Sequence, residues 1–327
     1  MTLPLNVQSP ALSVTYSHEP LDALLAQPDV LAVVAFGRDA PRADDPRLIR
    51  VELEPHGAAP FEVWRAGAAV TARRVDDLAY AHDGRLLMAA MDVPEVDGDL
   101  RAAAVHAYAS LRARTESLGY PHLLRIWNYI DDITVGEGDE ERYKHFCIGR
   151  AEGLGDGFAT ETLPAATAIG RVHGNGRLQV YWLASRLPGT PLENPRQVSA
   201  YRYPRRYGPQ PPSFARAMLP PGAMPLLLSG TASIRGHESL HPDCVATQLD
   251  ETLANIGALI DVARTHRPDL PPVPGATTPL KAYVREADEL DEADAALAAR
   301  LPDAPRVVLH ARICRRELRL EIDGCHG

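Results

Sequence analysis

The sequence predicts an α+β fold of two similar halves, each a mixed β-sheet with helices packed on one face. Apolar, strand-like runs alternate with amphipathic helical stretches along the chain. The order long helix, strand, second helix occurs twice, leading first into TAIGRVHGNGRLQVYWLA (residues 167–184) and later into VVLHARICRRELRLEID (residues 307–323). The length of 327 residues is typical of about two domains.

The first half begins with strands and continues with two helices. Short apolar runs bounded by Gly, Pro or Asp predict strands at 30–36, 48–53, 61–64 and 85–91. A helix follows at about 100–118, with Ala107 and Leu111 on its apolar face and Asp99 as its cap. The rest of this half is predicted as a strand at 122–130, a helix at 139–152 and a hairpin over 167–184 that turns at Asn175 and Gly176.

The second half repeats this order. Its most regular element is a helix at 244–266, because Val245, Leu249, Ile256 and Ile260 form one stripe. The other predicted elements are strands at 226–234 and 279–285, a helix at 290–301, and a closing hairpin of strands 307–313 and 318–322.

The two copies differ in chemistry. Pairing Arg171 with Arg312 puts Val180 opposite Glu321, and the late copy carries Glu, Cys and several Arg where the early copy is mostly neutral. The Pro- and Gly-bearing stretch 187–195 separates the copies. We therefore expect a scaffold domain at residues 1–187 and a working domain at 188–327.

Charge and composition narrow the class of protein. A net charge of −9 argues against a nucleic-acid-binding protein held by general electrostatics. No apolar run approaches the ~20 residues of a membrane span. The first ten residues, MTLPLNVQSP, lack the basic and apolar regions of a signal peptide, and none of the four cysteines forms a CxxC pair. These features predict a cytoplasmic protein with reduced thiols and no membrane partner.

Glu321 is the strongest local candidate for chemistry. Period-2 alternation over 318–322 puts Arg319 and Glu321 on one face, and Arg312 and Cys314 share a face of the neighbouring strand. Two interpretations stay open. One is a surface ion pair; the other is a semi-buried carboxyl group whose raised pKa lets it hold a proton near neutral pH.

Two further motifs also leave alternatives open. The proline-stiffened segment 201–217 (YRYPRRYGPQPPSFARA) interleaves Tyr and Arg, which can stack on a ring and bind carboxylates, or can simply be a solvated loop. His237 and His241 match the zinc-protease pattern HExxH, but Gly236 and Pro242 flank it, so the helix that this pattern requires is not expected. We therefore predict no metal site.

The chain resembles two related groups of proteins. Its C-terminal half resembles the RidA/YjgF family of small α+β proteins through FARA (214–217), SGTA (229–232), ETLANI (251–256), RIC (312–314) and LEI (320–322). The whole chain resembles the chorismatases, which remove pyruvate from chorismate, through RIWNYI (125–130), ERYKHFCIGR (141–150), the 201–217 segment, SGTASIRGHESLHP (229–242) and ICRRELRLEI (313–322).

The chorismatase resemblance implies two RidA-like halves, with one active site in the C-terminal, catalytic half. Its substrate would be a small dianion, chorismate, and no cofactor would be needed. Glu321 takes the acid position of the family. The residues expected to bind substrate are Arg312 first, then Arg216, Arg150, Tyr203, Tyr207 and Thr231.

Product choice is expected to depend on Gly230 and Cys314, a pair that resembles the hydroxybenzoate-forming members, with 3- and 4-hydroxybenzoate as products. Arg142 is expected either near the substrate or as a surface charge. Two alternatives remain: a RidA-like deaminase of enamines or imines, and a non-catalytic ligand-binding protein of the same fold. The chain is expected to be a monomer or a small homo-oligomer.

Overall fold

The computed structural model describes residues 11–155 and 159–327, and the N-terminal segment used above to predict localisation lies outside them. The predicted α+β class is confirmed. The described chain contains three mixed sheets of four, six and seven strands, besides a two-stranded hairpin. In these ranges, no helix combines the length and apolar character needed to cross a lipid bilayer.

The first sheet belongs to an N-terminal unit with one short helix. Its strands lie in the order β1-β5-β2-β3. The elements are β1 Leu12–Ser17, α1 Leu21–Leu25, β2 Val30–Phe36, β3 Leu48–Val51, β4 Glu54–Pro55 and β5 Phe61–Ala66. Strand β4 leaves this sheet and pairs with β18 of the third one.

The second sheet forms a middle unit with two helices on one face. Its order is β10-β9-β11-β8-β7-β6. The elements are β6 Thr71–Val75, β7 Leu78–His82, β8 Leu86–Pro94, α2 Leu100–Ser117, β9 His122–Asp131, α3 Arg142–Leu154, β10 Ala165–Arg171 and β11 Arg177–Ser185. Asp99 caps α2 as predicted, since its carboxylate accepts a hydrogen bond from the Ala102 amide at 2.9 Å.

The third sheet forms the C-terminal unit, in the order β12-β13-β14-β19-β17-β18-β4. Its elements are β12 Thr190–Leu192, β13 Ala217–Leu219, β14 Leu226–Ala232, β15 Ile234–Arg235, β16 Glu238–Ser239, α4 Val245–His266, β17 Leu280–Val284, α5 Leu290–Arg300, β18 Arg306–His310 and β19 Leu320–His326. The apolar stripe of α4 is buried against this sheet, as its spacing predicts. The predicted boundary between residues 187 and 188 falls between β11 and β12 and remains a prediction.

The same connectivity occurs in all three units. In the C-terminal unit β17 pairs in parallel with β18 and antiparallel with β19, and β19 pairs with β14. The middle unit repeats this with β9, β10, β11 and β8, and the N-terminal unit with β2, β3, β5 and β1. The segment predicted as one scaffold half therefore holds two sheets, and a core of residues from all three units lies between the sheets.

Both predicted hairpins are wrong. Strand β9 lies between β10 and β11, and β17 lies between β18 and β19. The Asn175–Gly176 turn reverses the chain between β10 and β11. Strand β11 does not pair with β10, however, but with the opposite side of β9. Such non-local pairing leaves no trace in the local sequence pattern.

The predicted alignment of the two copies is shifted by one residue at Glu321. Glu321 pairs with Tyr283 on β17, and Gln179 pairs in the same way with Tyr129 on β9. The two tyrosine hydroxyls lie 3.3 Å apart in the shared core. Val180 instead packs on the helix side of its sheet with α2. The counterpart of Glu321 is therefore Gln179, because a shift of one residue moves a side chain to the other face of a strand.

Candidate active site

A cavity of about 230 Å³ lies where the middle unit meets the C-terminal unit. Helix α3 and strand β10 supply one wall, while β14, β19, the 203–216 loop and the turn after β18 supply the other. The bridge between Ala165 and Ala215, and the hydrogen bond from the Ala166 amide to Ser229 Oγ at 2.9 Å, hold the two walls together. The lining residues include Tyr143, Arg150, Thr167, Tyr203, Tyr207, Phe214, Arg216, Gly230, Cys314, Arg315 and Glu321, besides the charged side chains of Glu141, Lys144, Arg206, Arg316 and Glu317.

Glu321 is buried in the wall of this cavity, with 5% of its surface exposed. Strand β19 holds it between Ala232 of β14 and Tyr283 of β17. Burial raises the pKa of Glu321 to about 8; the Asp323 carboxylate raises it as well, and Arg125, Arg216 and Arg315 act in the opposite direction. The side chain therefore carries a proton at neutral pH and can donate it into the cavity.

Five arginines line the cavity with Glu321; Arg206 and Arg316 are exposed, and the other three are buried or half-buried. Arg150 of α3 lies over the Tyr108 ring at 5.1 Å, and its Nε and Nη2 have no partner among the described residues. Arg216 donates to the Val198 carbonyl at 3.0 Å and to the Tyr203 hydroxyl, and within the same ranges its Nε has no partner. Buried donors without acceptors are costly, so these guanidinium groups are suited to an anion that enters the cavity.

Arg315 is the third buried or half-buried arginine of the cavity, and the sequence analysis did not select it. Its guanidinium lies 4.1 Å from the centre of the Tyr207 ring and 5.1 Å from that of Tyr203. Nη1 donates to the His237 carbonyl at 2.9 Å, whereas the buried Nη2 meets no acceptor in the described chain. The repeated Arg in RICRRELRL could have indicated an anion-binding segment. The local sequence does not show which of these arginines faces the cavity.

The Tyr- and Arg-rich segment lines the cavity, as the functional interpretation of its composition predicted. Two short 3-10 turns, Ala200–Arg202 and Arg205–Tyr207, place Tyr203 and Tyr207 with their ring centres 5.3 Å apart. Phe214 closes the wall behind them. Together these rings form an aromatic surface that suits a planar ligand.

Two of the predicted binding residues do not reach the cavity. Arg312 pairs through its backbone with Gly170 and donates from its side chain to the Arg285 carbonyl at 3.1 Å. Because β18 ends at His310, residues 311–319 do not follow the strand alternation that placed Arg312 beside Cys314. Thr231 is buried, and its hydroxyl donates to the Ser229 carbonyl at 2.9 Å.

Gly230 of β14 and Cys314, in the turn after β18, both line the cavity. A Cβ atom at position 230 would overlap a carboxyl oxygen of Glu321, so glycine makes room for the acid. Burial raises the pKa of the Cys314 thiol well above its ordinary value, which keeps it uncharged.

Arg142 lies outside this lining and pairs with Glu95 at 2.5 Å.

A buried charge network lies behind Glu321, and the sequence analysis missed it. Arg125 pairs with Asp323 at 3.1 Å, and Lys281 pairs with Glu62 at 2.8 Å and with Asp323 at 3.5 Å. Burial alone would lower the pKa of Lys281, but Asp323 and Glu62 outweigh it and raise that pKa. The signal was Arg125 within an apolar strand, since a charge buried there needs a partner.

The HExxH pattern lies on a β-hairpin. His237 falls in the turn between β15 and β16, and His241 has a positive φ of 57°. The helix face that would bring the two rings together is therefore missing, and the described residues contain no cluster of three or more His, Cys, Asp or Glu suited to a metal.

Comparisons with known proteins agree on one family. Residues 62–184 match the family model described as chorismatase FkbO/Hyg5-like, N-terminal. A chorismatase from Streptomyces rapamycinicus is 38% identical over 80% of this chain and 81% of its own length. A 3-hydroxybenzoate synthase from Streptomyces hygroscopicus is 36% identical over 84% of each chain.

A solved structure gives the same result for the fold. The crystal structure of a chorismatase superposes with a TM-score of 0.84 at 31% identity, covering 98% of this chain and all of the other. The similarity therefore includes all three units and the cavity between two of them. On this similarity to whole relatives, the chain belongs to the chorismatase family.

Proposed function

We propose that this protein cleaves chorismate into pyruvate and a hydroxybenzoate. The observation that carries the proposal is one cavity in which a buried carboxyl group with a pKa of about 8 lies among three guanidinium groups. The names of the relatives, chorismatase and 3-hydroxybenzoate synthase, support the same reaction.

The cavity matches the chemistry of chorismate. This dianion has a carboxylate on its ring and a second one at the end of an enolpyruvyl ether. Arg150, Arg216 and Arg315 offer at least one guanidinium for each carboxylate, and such pairs are strongest where water is excluded. Tyr203, Tyr207 and Phe214 provide the apolar wall for the ring.

Glu321 acts as the proton donor. Its proton goes to the terminal methylene carbon of the enolpyruvyl group, and the adjacent carbon becomes an oxocarbenium-like centre that the ether oxygen stabilises. A hydroxyl oxygen of the ring then attacks the neighbouring ring carbon, the ether C–O bond breaks and pyruvate leaves. The attacking oxygen then bridges two ring carbons, and its hydroxyl proton returns to the Glu321 carboxylate. One of the two bridging C–O bonds opens, and the carbon that keeps the oxygen loses its hydrogen as a proton, which the oxygen takes up as the ring becomes aromatic. Chorismic acid is thus divided into pyruvic and hydroxybenzoic acids without net water.

The product depends on whether water reaches the reacting carbon. Attack by water would give a dihydroxycyclohexadiene carboxylate, whereas attack by the ring oxygen gives hydroxybenzoate. Gly230 lies against the Glu321 carboxyl group and Cys314 lines the same cavity, so both residues limit the space available for water there. We assign the pair to hydroxybenzoate formation, with both 3- and 4-hydroxybenzoate as products.

The test is to incubate the purified chain with chorismate and to measure pyruvate by a coupled assay and aromatic products by HPLC. Pyruvate with 3- and 4-hydroxybenzoate is the expected result. A single diene-diol would retain chorismate cleavage but contradict the assignment of Gly230 and Cys314. Pyruvate at the spontaneous background would contradict the function, and ammonia release from an imine would then identify a deaminase.

A further inference from the structure

A second cavity, of about 490 Å³, lies where the N-terminal unit meets the middle unit. Its walls come from β3 of the N-terminal unit and from β8 and β11 of the middle unit. These strands correspond to β10, β14 and β19 in the shared connectivity, which are the strands that build the candidate active site. The second cavity therefore occupies the equivalent junction, one unit earlier along the chain.

Gln179 lines this cavity at the position equivalent to Glu321. It is 7% exposed, and its Nε2 donates to the Arg50 carbonyl at 2.9 Å. That bond leaves Oε1 as an acceptor, and within the described chain this buried oxygen has no partner. An amide cannot lend a proton to a carbon atom at neutral pH, so the acid chemistry of Glu321 is absent here.

The lining is rich in cations although the whole protein is acidic. Arg42, Arg50, Arg74, Arg171 and Arg177 face three carboxylates, which are those of Glu52, Asp77 and Asp92. Arg171 is 1% exposed and pairs through Nη1 with Asp131 at 2.9 Å, while its buried Nε has no partner in the ranges described. Two buried atoms of the lining residues therefore lack a hydrogen-bond partner among the described residues: the cationic donor Nε of Arg171 and the neutral acceptor Oε1 of Gln179.

We propose that this second cavity is a non-catalytic binding site for a small hydroxy carboxylate. The carboxylate of such a ligand accepts from Arg171 Nε, and its hydroxyl group donates to Gln179 Oε1. The unpaired acceptor disfavours a fully ionised inorganic anion, which has only acceptors to offer. The proposal concerns binding alone and does not depend on cleavage of chorismate at Glu321.

The test uses equilibrium dialysis of the full chain against 3-hydroxybenzoate, with 3-methoxybenzoate and inorganic sulfate as comparison ligands. Gln179→Leu removes the acceptor. Ala43→Trp fills the cavity from an exposed position on its rim and so does not depend on a buried substitution. Arg315→Met serves as the matched change in the candidate active site, so that binding at the two cavities can be separated.

We expect Gln179→Leu and Ala43→Trp each to abolish one equivalent of bound 3-hydroxybenzoate, and Arg315→Met to retain it. We also expect the methoxy compound to bind about tenfold more weakly, because it cannot donate to Oε1. Unchanged binding in both Gln179→Leu and Ala43→Trp would overturn the proposal. So would equal binding of 3-methoxybenzoate, or displacement by sulfate at an equal concentration.

Discussion

The two junctions between units share a strand framework but differ in what surrounds the equivalent position. At one, Glu321 is enclosed by aromatic rings and by α3, which contributes Tyr143 and Arg150. At the other, Gln179 faces an irregular loop over 37–47 in the place that α3 takes in the middle unit, and no aromatic side chain is among the described lining residues. The surroundings of the equivalent position, as well as the residue itself, therefore differ between the two junctions.

Exchanging the two side chains gives the largest expected effect. Glu321→Gln makes the candidate active site resemble its counterpart, and we expect kcat for pyruvate release to fall about 10³-fold because the proton donor is lost. The matched variant Gln179→Glu should leave turnover unchanged. Circular dichroism should show both variants folded. Normal turnover in Glu321→Gln would contradict the assigned role.

A comparison of variants at Arg315 and Arg312 tests which of the two arginines binds the substrate. We expect Arg315→Met to lower kcat/KM about 10²-fold, since a desolvated carboxylate would lose its partner. Arg312→Met, a change of the same size three residues earlier, should leave kcat/KM nearly unchanged because this side chain does not line the cavity. Steady-state kinetics on chorismate decide the matter, and equal losses in both variants would restore Arg312 to the site.

Replacement of Gly230 tests whether the space beside Glu321 determines the rate and the ratio of products. Its replacement by Ala puts a methyl group where the Glu321 carboxyl now lies, so the acid has to move. We expect about a tenfold loss of kcat and a changed ratio of products, as displaced catalytic groups lose alignment. Gly257→Ala on α4, where a Cβ meets open space, is the control. A wild-type rate and product ratio in Gly230→Ala would show that this space is not limiting.

The sequence predicted most elements of the fold because helices and strands depend on local periodicity. It could not predict strand order, because β9 and β17 enter between strands that are adjacent in the chain. Local alternation left a surface ion pair open for Glu321, and the family resemblance selected it as the acid; the structure places this side chain in the wall of the cavity. Arg312 was preferred over Arg315 because of the resemblance to RidA-like proteins, and the alternation that placed it beside Cys314 does not hold over residues 311–319. Arg125 within an apolar strand indicates that a buried partner is needed, but its partner Asp323 is far away in sequence and could not be identified locally.

The pH at which the rate begins to fall should lie well above the pKa of an ordinary carboxylic acid. Because the pKa of Glu321 is raised to about 8, the proton donor is present through neutral pH. We expect kcat/KM to be constant at lower pH and then to fall about tenfold per unit as pH rises above 8. A profile that already falls near pH 5 would mean that the acid is solvated as in an open cleft.

The stability of the folded chain should carry the same signature. Glu321 has an ordinary pKa of 4.5 and a folded value of about 8, so the folded state binds its proton more tightly than the unfolded chain does. Stability from this group is complete below about pH 4.5 and declines as pH rises towards 8. Glu321→Gln has no such proton, so its free energy of unfolding should exceed that of the wild type by roughly 4 kcal/mol at pH 8 and by roughly 1 kcal/mol at pH 5. Urea unfolding at the two pH values measures this difference, and a difference independent of pH would mean that the carboxyl ionises as readily in the fold as in the unfolded chain.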